Sequence, residues 1–429
     1  MPRVLLICPH FPPTAASGSF RLLGFSRHLP KFGWEASVVA RTPVRAEPQD
    51  PSLAALIPSE CNVTYIAPPG GRVPALIDRG LRAAGILDKS WSWQRSAYES
   101  CRRIIAERQI DAIVTSSPPH SVHLLGLALK RKVGLPWVAD FRDPWVGDGA
   151  ARGMKRFAAR LEAKVLRGAD AVVANAPLAQ QVLAEAYPDI ADKLVTITNG
   201  YDPEAIPPPT IQVSPHSPIT ILHAGELYAG RDPRPLLDAI ASIKDASDLG
   251  LPEFRVAFLG RHKWSGLDLL GEIKNRGCDD IVDVVEHLPY ADAKQRMVDA
   301  GILLLLDSAG RQAGVPAKLY EYIGCQRPVL ALVEQESDSA WVLRESGMRH
   351  CIANPASVPG VQRALIDLLV NLTSGETLDT GPREACFNGR FTRAESAQQL
   401  AAVLRRVTGT ASQAKPFNRS DACFAPRAV

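Results

Sequence analysis

The alternation of short apolar runs with amphipathic segments is the feature that most constrains the fold of this chain. The first run, Val4–Cys8, is followed by the segment Phe20–Phe32, in which Leu22, Phe25 and Leu29 recur at helical spacing. This order of elements is typical of βαβ units, which assemble into parallel sheets covered by helices. We therefore expect an α/β fold built from doubly wound parallel sheets.

This strand pattern occurs twice along the chain. In the first half the predicted strands are Val4–Cys8, Ala36–Ala40, Val63–Ala67, Ala112–Thr115, Trp137–Phe141, Ala171–Ala174 and Leu194–Thr198. In the second half they are Ile219–His223, Arg255–Leu259, Ile281–Val285, Ile302–Leu306 and Val329–Val333. Six prolines lie between positions 203 and 218, and because such a run cannot hold a helix it indicates a linker.

The predicted organisation is a first Rossmann-like domain over residues 1–202, the linker over 203–218 and a second Rossmann-like domain over 219–393. A helix over 394–408 is expected to pack back on the first domain. Residues 409–429 mix Ser, Pro, Lys and Asp without a period, which predicts a disordered tail. Open parallel sheets bind ligands at the carboxyl ends of their strands, so two such domains facing each other predict a ligand cleft.

Composition and charge narrow the class of protein. Hydrophobic residues make up 46% of the 429 residues and charged residues 22%, as in ordinary soluble proteins. No stretch reaches the roughly 18 apolar residues of a spanning helix, and Pro9 ends the first apolar run too early for a secretory signal. Eight cysteines form no C-x-x-C pair, which disfavours a zinc or dithiol site and fits a reducing compartment. We expect a cytoplasmic protein.

The charge is unevenly distributed between the two halves. Residues 1–200 hold 25 Lys and Arg against 17 Asp and Glu, whereas the remainder holds 24 against 28. A basic half favours phosphorylated substrates or peripheral contact with an anionic membrane face, although random surface composition explains the same numbers. Since no basic stripe with interleaved aromatic residues is present, nucleic-acid binding is not expected.

Two segments of the first half carry candidate functional residues at strand ends. Gly18 and Ser19 precede a helix, where backbone N–H groups suit a phosphate, although a simple strand–helix turn capped by Ser19 also fits. Asp140 and Asp143 flank Arg142 after another strand. A carboxylate there can accept a hydroxyl proton or hold a sugar hydroxyl, and Arg142 or water is expected to compensate the two acids. An aspartate capping a turn is the alternative.

His120 follows a further strand end, within the segment that starts at Ser116. Its imidazole could reach the cleft, but an ordinary loop histidine is the interpretation that the position favours.

In the second half, glycines followed by cations mark two consecutive strand ends. Gly225 and Arg231 follow one strand, and Arg261 and Lys263 follow the next. Glycine lets the backbone approach a ligand and arginine suits a diphosphate, while solvated charges on glycine turns are the alternative. Neither G-x-G-x-x-G nor G-x-x-x-x-G-K-[ST] occurs, so nicotinamide and P-loop nucleotide binding lose their main support.

A further segment starts a predicted helix at Pro316. Lys318 and Glu321 are three residues apart and therefore share one face of that helix. A carboxylate one turn into the helix can accept two ribose hydroxyls, whereas a surface Lys–Glu pair would contribute little.

These residues resemble glycosyltransferase family 4, whose E-x7-E motif surrounds P-x-K-x-x-E followed by a glycine and a proline. The matching residues are Pro316, Lys318, Glu321, Gly324 and Pro328, and Ala313 occupies the position of the first glutamate. The resemblance extends over residues 3–405 and includes the loop Ser17–Ser19, the segment Ile197–Asp202 and Arg231.

The resemblance implies a GT-B fold, with two Rossmann-like domains facing across a cleft. It implies a retaining transfer of sugar from a nucleotide diphosphate to a glycan or lipid-linked acceptor in cell-surface glycan synthesis, without a metal or cofactor, at the inner membrane face. The donor site would comprise Gly18, Ser19, Gly225, Arg231, Arg261, Lys263, Lys318, Leu319 and Glu321. The catalytic side would comprise Asp140, Arg142, Asp143 and His120.

Two alternatives remain open on the sequence. A nucleotide-sugar epimerase or hydrolase on the same fold would use the same donor site. Ala313 in place of an acid also allows a nucleotide-binding protein with impaired catalysis.

Overall fold

The computed structural model describes residues 1–45, 47–70, 88, 91–143, 145, 152–210, 218–227, 230–244, 250–262, 266–373 and 390–410. The predicted tail beyond residue 410, residues 211–217 of the predicted linker and the predicted donor residue Lys263 lie outside this part of the chain.

Two separate parallel sheets form the frame of the molecule. The first contains β1 Arg3–Ile7, β2 Glu35–Arg41, β3 Asn62–Ile66, β4 Ala112–Ser117, β5 Trp137–Phe141, β6 Ala171–Ala174 and β7 Leu194–Thr196. Its strand order is β3-β2-β1-β4-β5-β6-β7. The second contains β8 Ile219–Ala224, β9 Phe254–Leu259, β10 Val282–Val285, β11 Ile302–Leu306, β12 Val329–Leu332 and β13 His350–Ala353, in the order β10-β9-β8-β11-β12-β13.

Helices follow most of the strands and cover the sheets. The described α-helices are α1 Ser17–His28, α2 Trp91–Arg108, α3 Val122–Val133, α4 Arg152–Gly168, α5 Pro177–Ala186, α6 Arg234–Lys244, α7 Leu269–Asn275, α8 Tyr290–Asp299, α9 Ala317–Cys325, α10 Asp338–Ser346, α11 Val358–Thr373 and α12 Arg393–Thr408. All strand pairs in both sheets are parallel, so the predicted fold class is confirmed.

Several element boundaries differ from the predicted ones. Helix α1 begins at Ser17, so Ser19 is not its N-cap; Ala16 occupies that position without a side-chain cap. Helix α2 begins six residues before the predicted Ala97, because Trp93 is buried and donates its indole N–H to the Ile66 carbonyl oxygen at 2.9 Å. Strand β13 was not predicted; it is short and only partly buried, so its sequence lacks an apolar run.

The chain crosses between the two sheets twice. The first crossing segment contains Tyr201 and Asp202, the second contains Phe391, and the two are hydrogen-bonded to each other as a crossover. The Tyr201 N–H donates to the Phe391 carbonyl oxygen at 3.0 Å, and the Arg393 N–H donates to the Tyr201 carbonyl oxygen at 2.9 Å. After the second crossing, α12 packs on α1 with Leu400 and Leu404 in the same buried cluster as residues of the first sheet. This crossover lies beside the cleft described below.

None of the helices in the described ranges combines the length and apolar character that crossing a membrane requires.

Candidate functional site

A cleft of about 640 Å³ lies between the two domains, and residues of both line it. Its walls include loops that follow strands of both sheets, at the carboxyl ends of those strands, where open parallel sheets bind ligands. Pockets of about 300–1,000 Å³ commonly hold small molecules and cofactors. The cleft is therefore large enough for a nucleotide.

The structure brings seven of the predicted site residues to this cleft. They are Arg142, Asp143, Gly225, Arg231, Arg261, Lys318 and Glu321. Five others do not line it: Gly18, Ser19, His120, Asp140 and Leu319. Arg231 and Glu321 share one cavity, as a single nucleotide contacting both of them requires.

Asp140 is fully buried and does not line the cleft, although its ion-pair partner Arg21 does. Arg21 binds both of its oxygens, with Nε–Oδ2 at 2.9 Å and Nη2–Oδ1 at 2.7 Å, and the Ser116 hydroxyl donates to Oδ2 at 2.6 Å. The cation that compensates Asp140 is thus Arg21 from α1, and the expectation that Arg142 does so is wrong for this acid. These contacts make Asp140 a residue that joins α1 to the sheet, and its catalytic role stays a prediction.

Arg142 lines the cleft on the first domain and is held by backbone oxygens. Its Nη2 donates to the Pro118 carbonyl oxygen at 2.7 Å, and its Nε donates to that of Ser117. The guanidinium also lies against Gly18, where an added Cβ would come within 2.6 Å of Nη2. Gly18 therefore leaves room for the Arg142 guanidinium, and its predicted role in donor binding stays a prediction. Ser19 is buried, and within the described residues its hydroxyl has no hydrogen-bond partner.

His120 and Leu319 are positioned by packing. The imidazole of His120 stacks on Trp145, with ring centroids 5.6 Å apart. Leu319 is buried and its N–H donates to the Pro316 carbonyl oxygen at 3.0 Å. Their predicted roles as a catalytic and a donor-binding residue stay predictions.

Asp143 faces the cleft from the first domain, opposite cations of the second. Its Oδ1 lies 3.7 Å from Arg311 Nη2, and Arg311 also bonds Asp307 at 3.1 Å. Burial in the cleft raises the pKa of Asp143, while Arg142 and Arg311 oppose that shift. A carboxyl with a raised pKa can take up a proton more readily than a surface aspartate.

Two cations of the second domain converge on one wall of the cleft. Arg231 is buried and its Nε lies 3.9 Å from Asp307 Oδ1. The Lys318 ammonium donates to His223 Nε2 at 3.1 Å, and His223 Nδ1 in turn donates to the Leu304 carbonyl oxygen at 3.1 Å. Burial, followed by the positive charge of Arg231, lowers the pKa of Lys318 well below its usual value. Two desolvated cations side by side favour a multiply charged anion between them.

Gly225 makes room for this arrangement. Its φ of +131° lies in a region that favours glycine, and an added Cβ would come within 2.8 Å of Lys318 Nζ. Arg261, after the next strand, is exposed and lines the same wall.

Helix α9 presents its first turn to the cleft, with Ala317 and Lys318 in its lining. The Tyr322 hydroxyl fixes the helix to the sheet, because it accepts from the Ala224 N–H at 3.0 Å and donates to the Leu304 carbonyl oxygen at 3.1 Å. A helix N-terminus attracts anions through its unpaired N–H groups and its dipole.

Glu321, one turn further along α9, is held by groups that sequence reasoning missed. Its oxygens lie 2.8 Å from Lys294 Nζ and 2.6 Å from Arg393 Nη2, and the Tyr290 hydroxyl donates to it at 3.2 Å. Burial alone would raise the pKa of Glu321, but Arg393 and Lys294 more than offset this and lower it. The carboxylate is therefore ionised and faces the cleft.

Sequence patterns gave no direct signal for most of these partners. Arg393 lies 72 residues from Glu321, and nothing local marks it. His223 was detectable only because it immediately precedes the segment of Gly225. Ala313, at the position of the missing acid, packs against the main core instead of lining the cleft.

Among the described residues no cluster of His, Cys, Asp and Glu is arranged to hold a metal ion.

Comparisons with known proteins agree with this architecture. Residues 20–205 match the model of Glycosyltransferase Family 4. No curated protein sequence matches the chain. Similar solved structures include a glycosyltransferase from Rickettsia africae, with 13% identity, a TM-score of 0.66 and coverage of 96% of this chain and 99% of that one.

Two further structures have the same fold. HepE of Anabaena, in complex with UDP and glucose, is 16% identical with a TM-score of 0.63 over 95% of this chain and 100% of that one. A Listeria monocytogenes protein described as a UDP-N-acetylglucosamine 2-epimerase is 13% identical, with a TM-score of 0.56 over 96% and 97%. Residues 20–205 therefore resemble glycosyltransferase family 4, and the chain adopts the GT-B fold.

Proposed function

We propose that the protein is a retaining glycosyltransferase that moves a sugar from a nucleotide diphosphate to a glycan or lipid-linked acceptor in cell-surface glycan synthesis. The observation that carries the proposal is the meeting of Arg231, Lys318 and Glu321 in one cleft, beside the N-terminus of α9. The solved structure of HepE with UDP and glucose, which shares the fold, supports a nucleotide-sugar ligand.

In this proposal the second domain binds the donor. Arg231 and Lys318 hold the diphosphate, and Glu321 accepts hydrogen bonds from the ribose hydroxyls. As the bond to the sugar breaks, negative charge develops on the diphosphate, and the two cations and the helix N-terminus stabilise it. These groups take the role that a metal ion has in other transferases, so the reaction is proposed to need no bound metal or cofactor.

The first domain would supply the acceptor side. Asp143 faces the cleft with a raised pKa, so it is placed to hold an acceptor hydroxyl and take up its proton. The Asp143–Arg311 contact joins the two domains at the cleft. Exclusion of water there would favour transfer over hydrolysis of the donor.

A thermal-shift screen tests donor binding. UDP, GDP and ADP are compared with their monophosphates, because a ligand raises apparent stability by mass action and only the diphosphates can engage both cations. We expect one diphosphate to stabilise the protein more than its monophosphate, and Arg231→Ala to abolish that difference. Arg234→Ala is the matched control, since this nearby arginine pairs with Asp232 and does not line the cleft. No stabilisation by any diphosphate would overturn the proposal.

Product analysis separates transfer from epimerisation. The protein is incubated without an acceptor and with sugar nucleotides built on the diphosphate that stabilises it. We expect slow hydrolysis of these donors at most. Rapid formation of an epimer would instead identify the protein as an epimerase. This is the second candidate function, because the Listeria protein described as an epimerase has the same fold. Binding without turnover over a broad panel of acceptors would instead indicate an impaired enzyme.

A lipid-linked acceptor would bring the protein to the cytoplasmic face of a membrane, and the basic first domain offers a surface for it. Helix α4 exposes Arg156, Arg160 and Lys164 together with Phe157, which is 41% exposed. Basic residues around an exposed aromatic ring favour anionic lipid headgroups. The cluster Lys130–Lys132 at the end of α3 adds further charge, although Lys130 is paired with Asp170.

Vesicle sedimentation tests this contact. Neutralising Arg156, Arg160 and Lys164 to Gln should reduce binding to anionic vesicles by about a hundredfold, given about 1 kcal/mol for each basic residue near the surface. The same change at the exposed Arg344, Arg349 and Arg363 of the second domain is the control. Equal binding by both triple variants would refute the α4 contact.

A further inference from the structure

Arg393 connects the two crossing segments of the chain to the cleft. It is the first residue of α12 and is 6% exposed. Its guanidinium binds two carboxylates at once, with Nη1 2.6 Å from Asp202 Oδ2 and Nη2 2.6 Å from Glu321 Oε1. Because Arg393 also lines the cleft, a bound ligand and the crossover share this side chain.

The other end of this connection reaches α1 of the first domain. Asp202 is buried in the first crossing segment and is contacted by Arg27 Nη1 at 2.8 Å and His28 Nε2 at 2.9 Å. Burial would raise the pKa of Asp202, but His28, Arg393 and Arg27 together hold it well below its usual value. Ion pairs therefore connect α1 to Asp202, Asp202 to Arg393, and Arg393 to Glu321.

Helix α9 is also packed directly on the crossover. An added Cβ at Gly324 would come within 2.7 Å of the Tyr201 ring, so the end of the helix lies flush against the first crossing segment. The Tyr320 ring lies 5.9 Å from that of Phe391 in the second. The helix that carries Lys318 and Glu321 thus cannot shift without moving the crossover.

Arg393 cannot be replaced by a neutral residue without leaving Asp202 and Glu321 each short of one cation. Asp202 would keep Arg27, and Glu321 would keep Lys294, whose ammonium lies 2.8 Å from Oε2. Within the described ranges, however, only Arg393 bonds Glu321 from the side of the crossover. Its planar guanidinium can bond both acids in a fixed geometry.

We propose that Arg393 is a positioning residue of the donor site. It orients the Glu321 carboxylate for the ribose hydroxyls and, through Asp202, makes donor affinity depend on residues that do not touch the donor. This inference rests on the proposed function, because it requires a ligand that carries ribose.

The test compares a probe with ribose and one without it. UDP, GDP and ADP are titrated separately by calorimetry, and inorganic pyrophosphate serves as the ligand that engages only Arg231 and Lys318. In Arg393→Gln we expect the affinity of the bound nucleoside diphosphate to fall about tenfold, the size of one lost charge-assisted contact, and that of pyrophosphate to change less than about twofold. In Arg393→Lys, which keeps the charge but not the planar guanidinium, the affinity for the nucleoside diphosphate should lie between those of wild type and Arg393→Gln.

A second variant keeps the test decisive if Arg393→Gln does not fold. This test uses Asp202→Asn and Glu321→Gln. The two acids make no hydrogen bond to each other in the described structure, and each bonds Arg393 instead. We expect Asp202→Asn to lower nucleoside diphosphate affinity about threefold in the wild-type background and to have no further effect in Glu321→Gln.

The possible outcomes separate the two proposals. Additive losses in the two backgrounds, or equal losses for pyrophosphate and nucleoside diphosphate, would assign Arg393 a structural role only and overturn the inference. Wild-type protein that binds none of the nucleoside diphosphates would overturn the proposed function, and the positioning role would fall with it.

Discussion

Asp140 and Glu321 are both carboxylates held by a distant arginine, yet they differ in what they face. Asp140 is bound by Arg21 and Ser116 inside the first domain and does not line the cleft. Glu321 lines the cleft and takes its cations from α8 and from the segment that returns to the first domain. A buried ion pair is therefore weak evidence for a site, and its position relative to the cleft decides its role.

Breaking the Asp140 pair should give the largest effect on stability. Arg21→Ala leaves an uncompensated buried carboxylate, so the free energy of unfolding should fall by about 3–5 kcal/mol. Urea unfolding measures the change. Arg167→Ala is the control, because the Arg167–Asp189 pair is exposed on both sides and should contribute little to stability. Equal losses in both variants would contradict the view of Asp140 as a structural anchor.

Gly225→Ala should affect the donor side of the cleft, where Gly225 lies against Lys318. Its φ of +131° strains any other residue, and the new Cβ would crowd Lys318. We expect a loss of about 1–3 kcal/mol in the free energy of unfolding together with weaker binding of nucleoside diphosphates. Gly134→Ala, also at positive φ but in open space at the end of α3, serves as the control for strain alone. Unchanged nucleotide affinity in Gly225→Ala would show that Lys318 does not bind the diphosphate.

The smallest predicted effect is proton uptake on binding. The pKa of Lys318 is lowered in the free protein, and a bound diphosphate would raise it again, so binding should take up a fraction of a proton and weaken as pH rises. Calorimetry in buffers of different ionisation enthalpy, above the phosphate pKa of about 6, measures this uptake. It should vanish in Lys318→Met and persist in Lys244→Met, whose ammonium pairs with Asp280 at the surface. Uptake that survives in Lys318→Met would assign it to another group.

The sequence was sufficient for the parts of the molecule that local patterns determine. Apolar runs predicted both parallel sheets, and the spacing of Lys318 and Glu321 predicted that they share the face of α9 that lines the cleft. Tertiary packing determined the rest. Arg21 meets Asp140 across 119 residues, and Arg393 meets Glu321 across 72, so no periodicity could pair them.

A crystal structure of the protein with its nucleoside diphosphate tests the central claim most directly. The account predicts phosphate oxygens within hydrogen-bond distance of Arg231 and Lys318, and ribose hydroxyls donating to Glu321. A nucleotide bound only by residues of the first domain, with the Glu321 carboxylate free of ribose, would contradict it.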